Sequence, residues 1–250
     1  MSSTVYLVSG AGRGLGLELV TQLATRPDAI VFAGARDPAR ATNLQALAKL
    51  HPARFHVVKV TSADKEDNIA AVEEVKRVAG RLDVVIANAG IGDTLGTALE
   101  VNPEDMVRHL EVNTNGALVL FQAVYPLLKE SKTPKFVAIT SQVGSIVLVG
   151  EIPLMMYPYG ASKAALNWVM RKLHHDFPDF VIFPLIPGTV ATDGARAMFE
   201  RSPDMKEAHE AAIIPAQDSA RGMLEQIDVA TRETHGGQLV DYSGIGNWQW

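Results

Sequence analysis

A doubly wound sheet of seven parallel strands, with helices on both faces, is the fold this sequence predicts. Three observations predict it. Short β-branched runs alternate with longer, helix-spaced segments from one end of the chain to the other. The runs are almost continuously apolar instead of alternating, as strands covered on both faces should be. A glycine-rich turn, Ser9-Gly10-Ala11-Gly12-Arg13-Gly14-Leu15-Gly16, joins the first run to the first helical segment.

The strands are expected at residues 5–8, 30–33, 55–60, 84–87, 136–140, 180–186 and 238–240, and the helices at 15–24, 39–50, 65–79, 104–129, 161–175 and 216–229. Pro27-Asp28 and Pro52 punctuate the first two helices, and Gly80 stands where a third should be capped. Pro126 lies inside the segment 104–129, so a kink or an early end is expected there. No repeat, low-complexity tract or linker divides the chain, and residues 1–250 read as one domain.

Composition narrows the function. At 47% hydrophobic and 20% charged, the 250 residues can build a full core. A net charge of −5 offers no basic footprint for nucleic acid or an anionic membrane, so a small molecule is the expected partner. Cysteine is absent, which excludes disulfides, thiolate catalysis and cysteine-held metals. His174 and His175 are adjacent and cannot share a helix face, and no His-Glu-x-x-His occurs, so no metal is expected. No basic leader precedes the first apolar run, and no stretch approaches the about 18 apolar residues of a membrane span. A cytoplasmic protein is expected.

Glycines between a first strand and a first helix let the backbone turn tightly and come close to a ligand's phosphates. The helix start then offers free N–H groups and the positive end of its dipole to a pyrophosphate. The plain alternative is a turn that needs positive φ and binds nothing, but four glycines in seven residues argue for the phosphate. An acid at the end of the second strand would bond a ribose 2′-hydroxyl and repel a 2′-phosphate. Here that strand ends Gly34-Ala35-Arg36. Arg36 and Arg13 suit a 2′-phosphate, which favours NADP over NAD. The alternative is two solvated arginines, with Arg36 paired to Asp37.

Tyr159 and Lys163 are four residues apart, hence on one helix face. A phenol with the ordinary pKa of about 10 exchanges protons poorly at neutral pH, and a neighbouring ammonium favours its ionised form. Tyr125 and Lys129 share the spacing, but lie deep in a predicted helix with no strand-end serine before them. They read as packing and a solvated end. Tyr159 instead opens a helix behind Ser141-Gln142-Val143-Gly144. Ser141, at the C-terminal end of the fifth strand, sits on the edge where such sheets bind ligands. A serine bonded only to backbone is the alternative.

Together these residues resemble the short-chain dehydrogenase/reductase family over nearly the whole chain. Gly10, Gly14 and Gly16 match its Gly-x-x-x-Gly-x-Gly turn, with Ser9 in place of the usual threonine. Asn88-Ala89-Gly90 follow the fourth strand, Asn113 stands in Val112-Asn113-Thr114-Asn115-Gly116, and Pro187-Gly188 with Thr192 lie beyond the sixth strand. Singly, Asn113 reads equally as a cap and Asn88-Ala89-Gly90 as a sharp turn; it is their joint order that is specific. The resemblance implies a Rossmann-type fold and a tetrad. Tyr159 is the general acid in reduction and the base in oxidation, and Ser141 orients the carbonyl. Lys163 lowers the tyrosine pKa and holds the nicotinamide ribose, and Asn113 supports Lys163 through a water relay. The resemblance also implies an NADP(H) groove formed by Ser9, Gly10, Gly12, Arg13, Gly14, Leu15, Gly16, Arg36, Val60, Asn88, Ala89 and Gly90. At the nicotinamide end stand Tyr159, Lys163, Pro187, Gly188, Val190 and Thr192. The chain departs from the family where Ala35 replaces the acid of NAD-using members. It departs again where Lys59 replaces an aspartate often found near the adenine, which leaves adenine contacts to the backbone around Val60.

More residues separate Ser141 from Tyr159 than is usual in the family, and the added stretch 146–158 is strongly apolar. With Met198, Phe199 and Met205 in the segment 193–215, it predicts a roomy apolar pocket in which Met155 and Met156 are adaptable lining. Packing or a subunit contact is the alternative. The lengthened stretch, and the ending from Gly237 to Trp250, are similar to the carbonyl-reductase branch that holds sniffer-type reductases and fungal norsolorinic-acid ketoreductase. The expectation is NADPH-driven reduction of a bulky, hydrophobic or aromatic ketone by a homodimer or homotetramer. Two other readings stay open: NAD-dependent alcohol oxidation on the same fold, and a dinucleotide-sensing regulator without turnover. The retained Tyr159–Lys163 pair weighs against the regulator.

Overall fold

The computed structural model describes residues 3–151, 155–191 and 213–250. In chain order the elements are β1 (Thr4–Val8), α1 (Gly14–Thr25), β2 (Ala29–Ala35), α2 (Thr42–Leu50), β3 (Phe55–Lys59), α3 (Lys65–Ala79), β4 (Val84–Ala87), α4 (Pro103–Leu110), α5 (Gly116–Leu128) and β5 (Lys135–Ile139). They continue with α6 (Tyr157–Asp176), β6 (Val181–Ile186), β7 (Thr189–Val190), β8 (Ile213–Ile214), α7 (Ala216–Val229), β9 (Val240–Asp241) and β10 (Gly244–Ile245).

The main sheet has the order β10-β9-β6-β5-β4-β1-β2-β3. Seven of these strands are parallel, as the sequence predicts, and the short β10 adds an antiparallel edge. β7 and β8 pair apart from it. β1 is flanked by β2 on one side and β4 on the other, so the chain reverses its direction of winding there. That opens a crevice above the C-terminal ends of β1 and β4.

Alternation along β1 shows why its run is unbroken. Val5 and Leu7 join a core with Phe32, Val85 and Phe136 beneath α3, α5 and α6. Tyr6 and Val8 join another with Val31, Ala33 and Ile86 beneath α1, α2 and α7. Both faces of the strand are buried, so neither tolerates polar residues.

Three boundaries differ from the sequence reading. The second helix begins at Thr42, because Asp37 caps a separate 3-10 turn, Pro38–Arg40, by accepting a bond from the Arg40 N–H at 3.3 Å. The sixth helix begins at Tyr157, with proline in its first turn. The segment 104–129 is not one helix: a π-helical turn, Glu111–Asn115, separates α4 from α5. The buried Asn113 and Thr114 in that turn bond to other elements (see below). Pro126 lies inside α5, which runs on to Leu128, one residue short of the expected end at 129, so the early end expected at Pro126 does not occur. Gly80 caps α3 in the left-handed conformation, with φ +73. Among the described residues no helix is long and apolar enough to cross a membrane.

Beneath α5 an aromatic cluster centres on Phe121, whose ring lies 5.0 Å from Phe136 and 4.9 Å from Phe177, both edge-on. Phe121→Ala removes the shared ring, and a loss of about 3–5 kcal/mol is expected in denaturant unfolding. A loss under 1 kcal/mol would show that the cluster contributes little.

Candidate active site

The crevice is built first by the glycine turn. Gly10 has φ +65, and a Cβ there would stand 2.7 Å from the Ala89 Cα, so only glycine lets the turn lie against the segment after β4. Gly16, in the first turn of α1, is equally confined: a Cβ would meet the Gly10 carbonyl oxygen at 2.3 Å. Two polar side chains brace this contact from within. The Ser9 Oγ accepts the N–H groups of Asn88 and Ala89, both at 3.1 Å. The Asn88 Nδ2 donates to the carbonyl oxygens of Ser9 (3.0 Å) and Gly10 (3.2 Å). Leu15 turns its side chain into the core, so only its backbone faces the crevice.

The turn fits a dinucleotide pyrophosphate. The start of α1 has no side-chain cap and no acid in its first turn, so its dipole end and N–H groups are available to an anion. At Gly12 an added Cβ would approach only the Ala35 side chain, at 3.9 Å. Packing leaves open space there, which suits a ligand that must come close. Beyond it Ala35 ends β2, and Arg13 and Arg36 are exposed. Among the described residues neither arginine makes an ion pair, so the expected alternative, Arg36 paired with Asp37, does not occur. Lys59 is drawn away to Asp67, at 3.0 Å. The Val60 N–H bonds the Ala35 carbonyl at 3.1 Å, fixing the backbone edge on the adenine side.

The chemical end forms where β5 runs out beside the start of α6. Ser141 caps a 3-10 turn, Gln142–Gly144, accepting the Val143 N–H at 3.2 Å. That turn packs tightly on α6, for a Cβ on Gly144 would stand 2.8 Å from the Lys163 backbone. The close approach brings the Ser141 hydroxyl beside the Tyr159 phenol. One helical turn on, the Lys163 Nζ lies 5.6 Å from the centre of the Tyr159 ring and donates to the Ile139 carbonyl at 2.7 Å.

The electrostatics differ from the sequence expectation in one respect. Lys163 does not bring the Tyr159 pKa down in the protein alone. Burial pushes the phenol above its ordinary value, and the neighbouring Ser141 hydroxyl offsets part of that. The same burial lowers Lys163 from 10.5 to about 8. Both groups are held towards their neutral forms because the site removes water from each.

Asn113 is fixed by three bonds. Its Oδ1 accepts the Ile91 N–H at 2.8 Å, and its Nδ2 donates to the Ile91 carbonyl and to the Ser162 Oγ, both at 2.9 Å. Gly90 lies close against Asn113 and Lys163; a Cβ there would stand 3.2 Å from Oδ1 and 3.6 Å from Nζ. At the far wall, the Pro187 carbonyl accepts the Ser219 hydroxyl at 2.6 Å. Gly188, with φ +77, lies under Tyr242 and Ile214. The Val190 side chain is in the core, leaving only its backbone to the groove. Thr192, Met198, Phe199 and Met205 lie outside the described residues, as do 152–154.

The apolar stretch divides. Ile146, Val147, Val149 and Met155 are exposed, whereas Met156 is buried. Tyr125 and Lys129 sit far from this site, where β5 and β6 begin. The ring of Tyr125 stacks on Phe180, with the Lys129 Nζ 5.6 Å above it, so helix packing is the right account of that pair.

Several supports escape motif reading. Ser162, fully buried, accepts from Asn113 and donates to the Tyr159 carbonyl at 2.7 Å, while Thr114 bonds the Ser162 carbonyl at 2.8 Å. Asn167 accepts the Thr140 hydroxyl at 2.6 Å, tying α6 to the end of β5. Their one sequence signal is a polar side chain on the apolar face of a helix.

A family model for short chain dehydrogenases matches residues 4–203, and the chain belongs to that family. Within it, the chain falls in the carbonyl-reductase branch. Norsolorinic acid ketoreductase of Aspergillus parasiticus is 34% identical over 99% of this chain and 91% of its own. The NADPH-bound carbonyl reductase from chicken fatty liver superposes with a TM-score of 0.85 and 28% identity, covering 99% of this chain and all of its own. Carbonyl reductase Sniffer of D. melanogaster gives 0.85 and 25%, with both chains fully covered.

The buried lysine makes a test by pH. Between pH 8 and 10.5 the folded protein sheds the Lys163 proton while the unfolded chain keeps it, so folding stability rises with pH across that window. Lys163→Met removes the slope. The stability difference between wild type and variant should therefore move towards the wild type from pH 8 to 10.5, by up to on the order of 3 kcal/mol. Parallel urea midpoints across the window would refute the buried placement.

Proposed function

We propose that the chain is an NADP(H)-dependent reductase of bulky, hydrophobic ketones, with Tyr159 as proton donor. The observation that carries this reading is the placing of the Tyr159 phenol and the Ser141 hydroxyl side by side at the C-terminal edge of the sheet, one helical turn from the Lys163 ammonium. When bound, NADPH supplies the hydride.

The protein's own groups complete the reduction. The phenol, kept protonated by burial, gives its proton from Oη to the carbonyl oxygen as negative charge develops there. The Ser141 Oγ, whose lone pair already takes the Val143 N–H, turns its own proton from the phenol to the same carbonyl oxygen. Lys163 stabilises the phenolate left behind. Asn113, pinned to Ile91 and Ser162, holds the wall beside Lys163 and would support it through a water relay.

For NADP, support comes from two exposed arginines at the end of β2 and in the glycine turn, and from the NADPH named with the chicken enzyme. For an apolar substrate, support comes from the exposed apolar side chains of Ile146, Val147, Val149 and Met155 in the stretch between Ser141 and Tyr159. One domain over residues 1–250, a cytoplasmic place and a homodimeric or homotetrameric state are further parts of this proposal, supported by sequence and family resemblance.

Tyr159→Phe is expected to lower kcat for a ketone by about 10²–10⁴-fold while NADPH still binds. Retained turnover would reject Tyr159 as donor. Replacing Arg13 and Arg36 together by alanine should raise the NADPH KM about tenfold and leave that for NADH unchanged. An equal effect on both cofactors, or none, would overturn the NADP assignment.

A further inference from the structure

The stretch from Asn88 to Leu95 has no regular secondary structure, yet it forms one wall of the site. Gly90 borders Asn113 and Lys163, and Gly92 bears directly on Tyr159: a Cβ at Gly92 would stand 3.1 Å from the phenol ring. A segment without a ladder of its own needs external holds to keep such contacts. Asn113 provides the first, through its two bonds to Ile91.

The second lies two residues on, outside the tetrad. Arg108, in the last turn of α4, grips the Asp93 carboxylate with both arms, Nη1 to Oδ2 at 3.0 Å and Nη2 to Oδ1 at 2.7 Å. The same Nη2 donates to the Thr94 Oγ1 at 3.1 Å and to the Asp105 Oδ1 at 3.0 Å. The grip holds the Asp93 carboxyl below the usual carboxylate range. Behind it His109 is wholly buried. Its Nδ1–H donates to the Asp105 carbonyl at 2.8 Å, and its Nε2 stands 3.5 Å from the Asp93 Oδ1. An isolated exposed ion pair contributes little, but a forked pair within a network fixes geometry as well as charge. Gly92 is covalently next to the residue so fixed.

We propose that Arg108 is a positioning residue for Tyr159: its forked grip on Asp93 holds Gly92 against the phenol ring and so keeps the hydroxyl aimed at Ser141. This rests on the reading of Tyr159 as proton donor. Small displacements of a reacting group are costly, so the effect falls on kcat and not on cofactor binding. Lysine has the charge without the fork and cannot replace Arg108 fully.

The test is a double-mutant cycle with Arg108→Ala and Asp93→Asn, plus Arg108→Lys, read in two ways. In ketone reduction each single variant should lose about five- to tenfold in kcat, the double variant no more than either, and NADPH Kd should not change. Arg108→Lys should recover only part of the loss. Independently of turnover, the Ile91 amide should exchange its hydrogen at least about tenfold faster in Arg108→Ala and in Arg108→Lys. Wild-type exchange at Ile91, or single effects that simply add, would overturn the proposal. If the wild type reduces no ketone, the Tyr159 reading fails on its own, and exchange at Ile91 still decides whether the grip holds the wall.

Discussion

The site depends on one close approach, that of the turn after β5 to the first turns of α6. Gly144 lets the turn lie on the backbone of Lys163, and that separation sets the Ser141 hydroxyl beside the Tyr159 phenol. Each hydroxyl comes from a different element, so neither element sets the distance alone. Asn167 ties α6 to Thr140 just before Ser141, and Ser162 with Thr114 and Asn113 ties the same helix to the π-helical turn. Tyr159 is thereby fixed from the strand side and from the helix side, as a proton donor must be.

Burial creates this geometry and also sets its chemistry. Removing water strengthens every dipole aimed at the reacting oxygen, and at the same time penalises both the phenolate and the ammonium. The raised phenol and the lysine lowered to about 8 are two results of one cause. A tyrosine that stays protonated suits donation during reduction. Acting as base in the reverse direction requires charge from outside these side chains, which the sequence expectation assigned to Lys163 alone.

Much of this was legible in the sequence because the relevant physics is local. The unbroken apolar runs gave the parallel strands, since both faces of β1 meet a helix layer. Gly10 and Gly16 were readable because a tight turn before a helix has few solutions. The π-helical turn was not legible, because Glu111–Asn115 carries no period of its own and is fixed by bonds to Ile91 and Ser162, far away in sequence. The roles of Ser9 and Asn88 were read as lining, whereas their side chains brace the turn from behind. Met155 and Met156 looked alike and are opposite in exposure, because only the fold decides which neighbour faces inward.

The central claim is that the Tyr159 phenol is desolvated beside Ser141, next to the proposed nicotinamide site, and its titration tests this most directly. The ultraviolet difference between wild type and Tyr159→Phe isolates one phenol as pH is raised, with and without saturating NADP⁺. The account requires that phenol to ionise above the ordinary tyrosine range in the free protein, and at a lower pH once the positively charged ring is bound. A phenol that titrates as in solution, unmoved by NADP⁺, would contradict it.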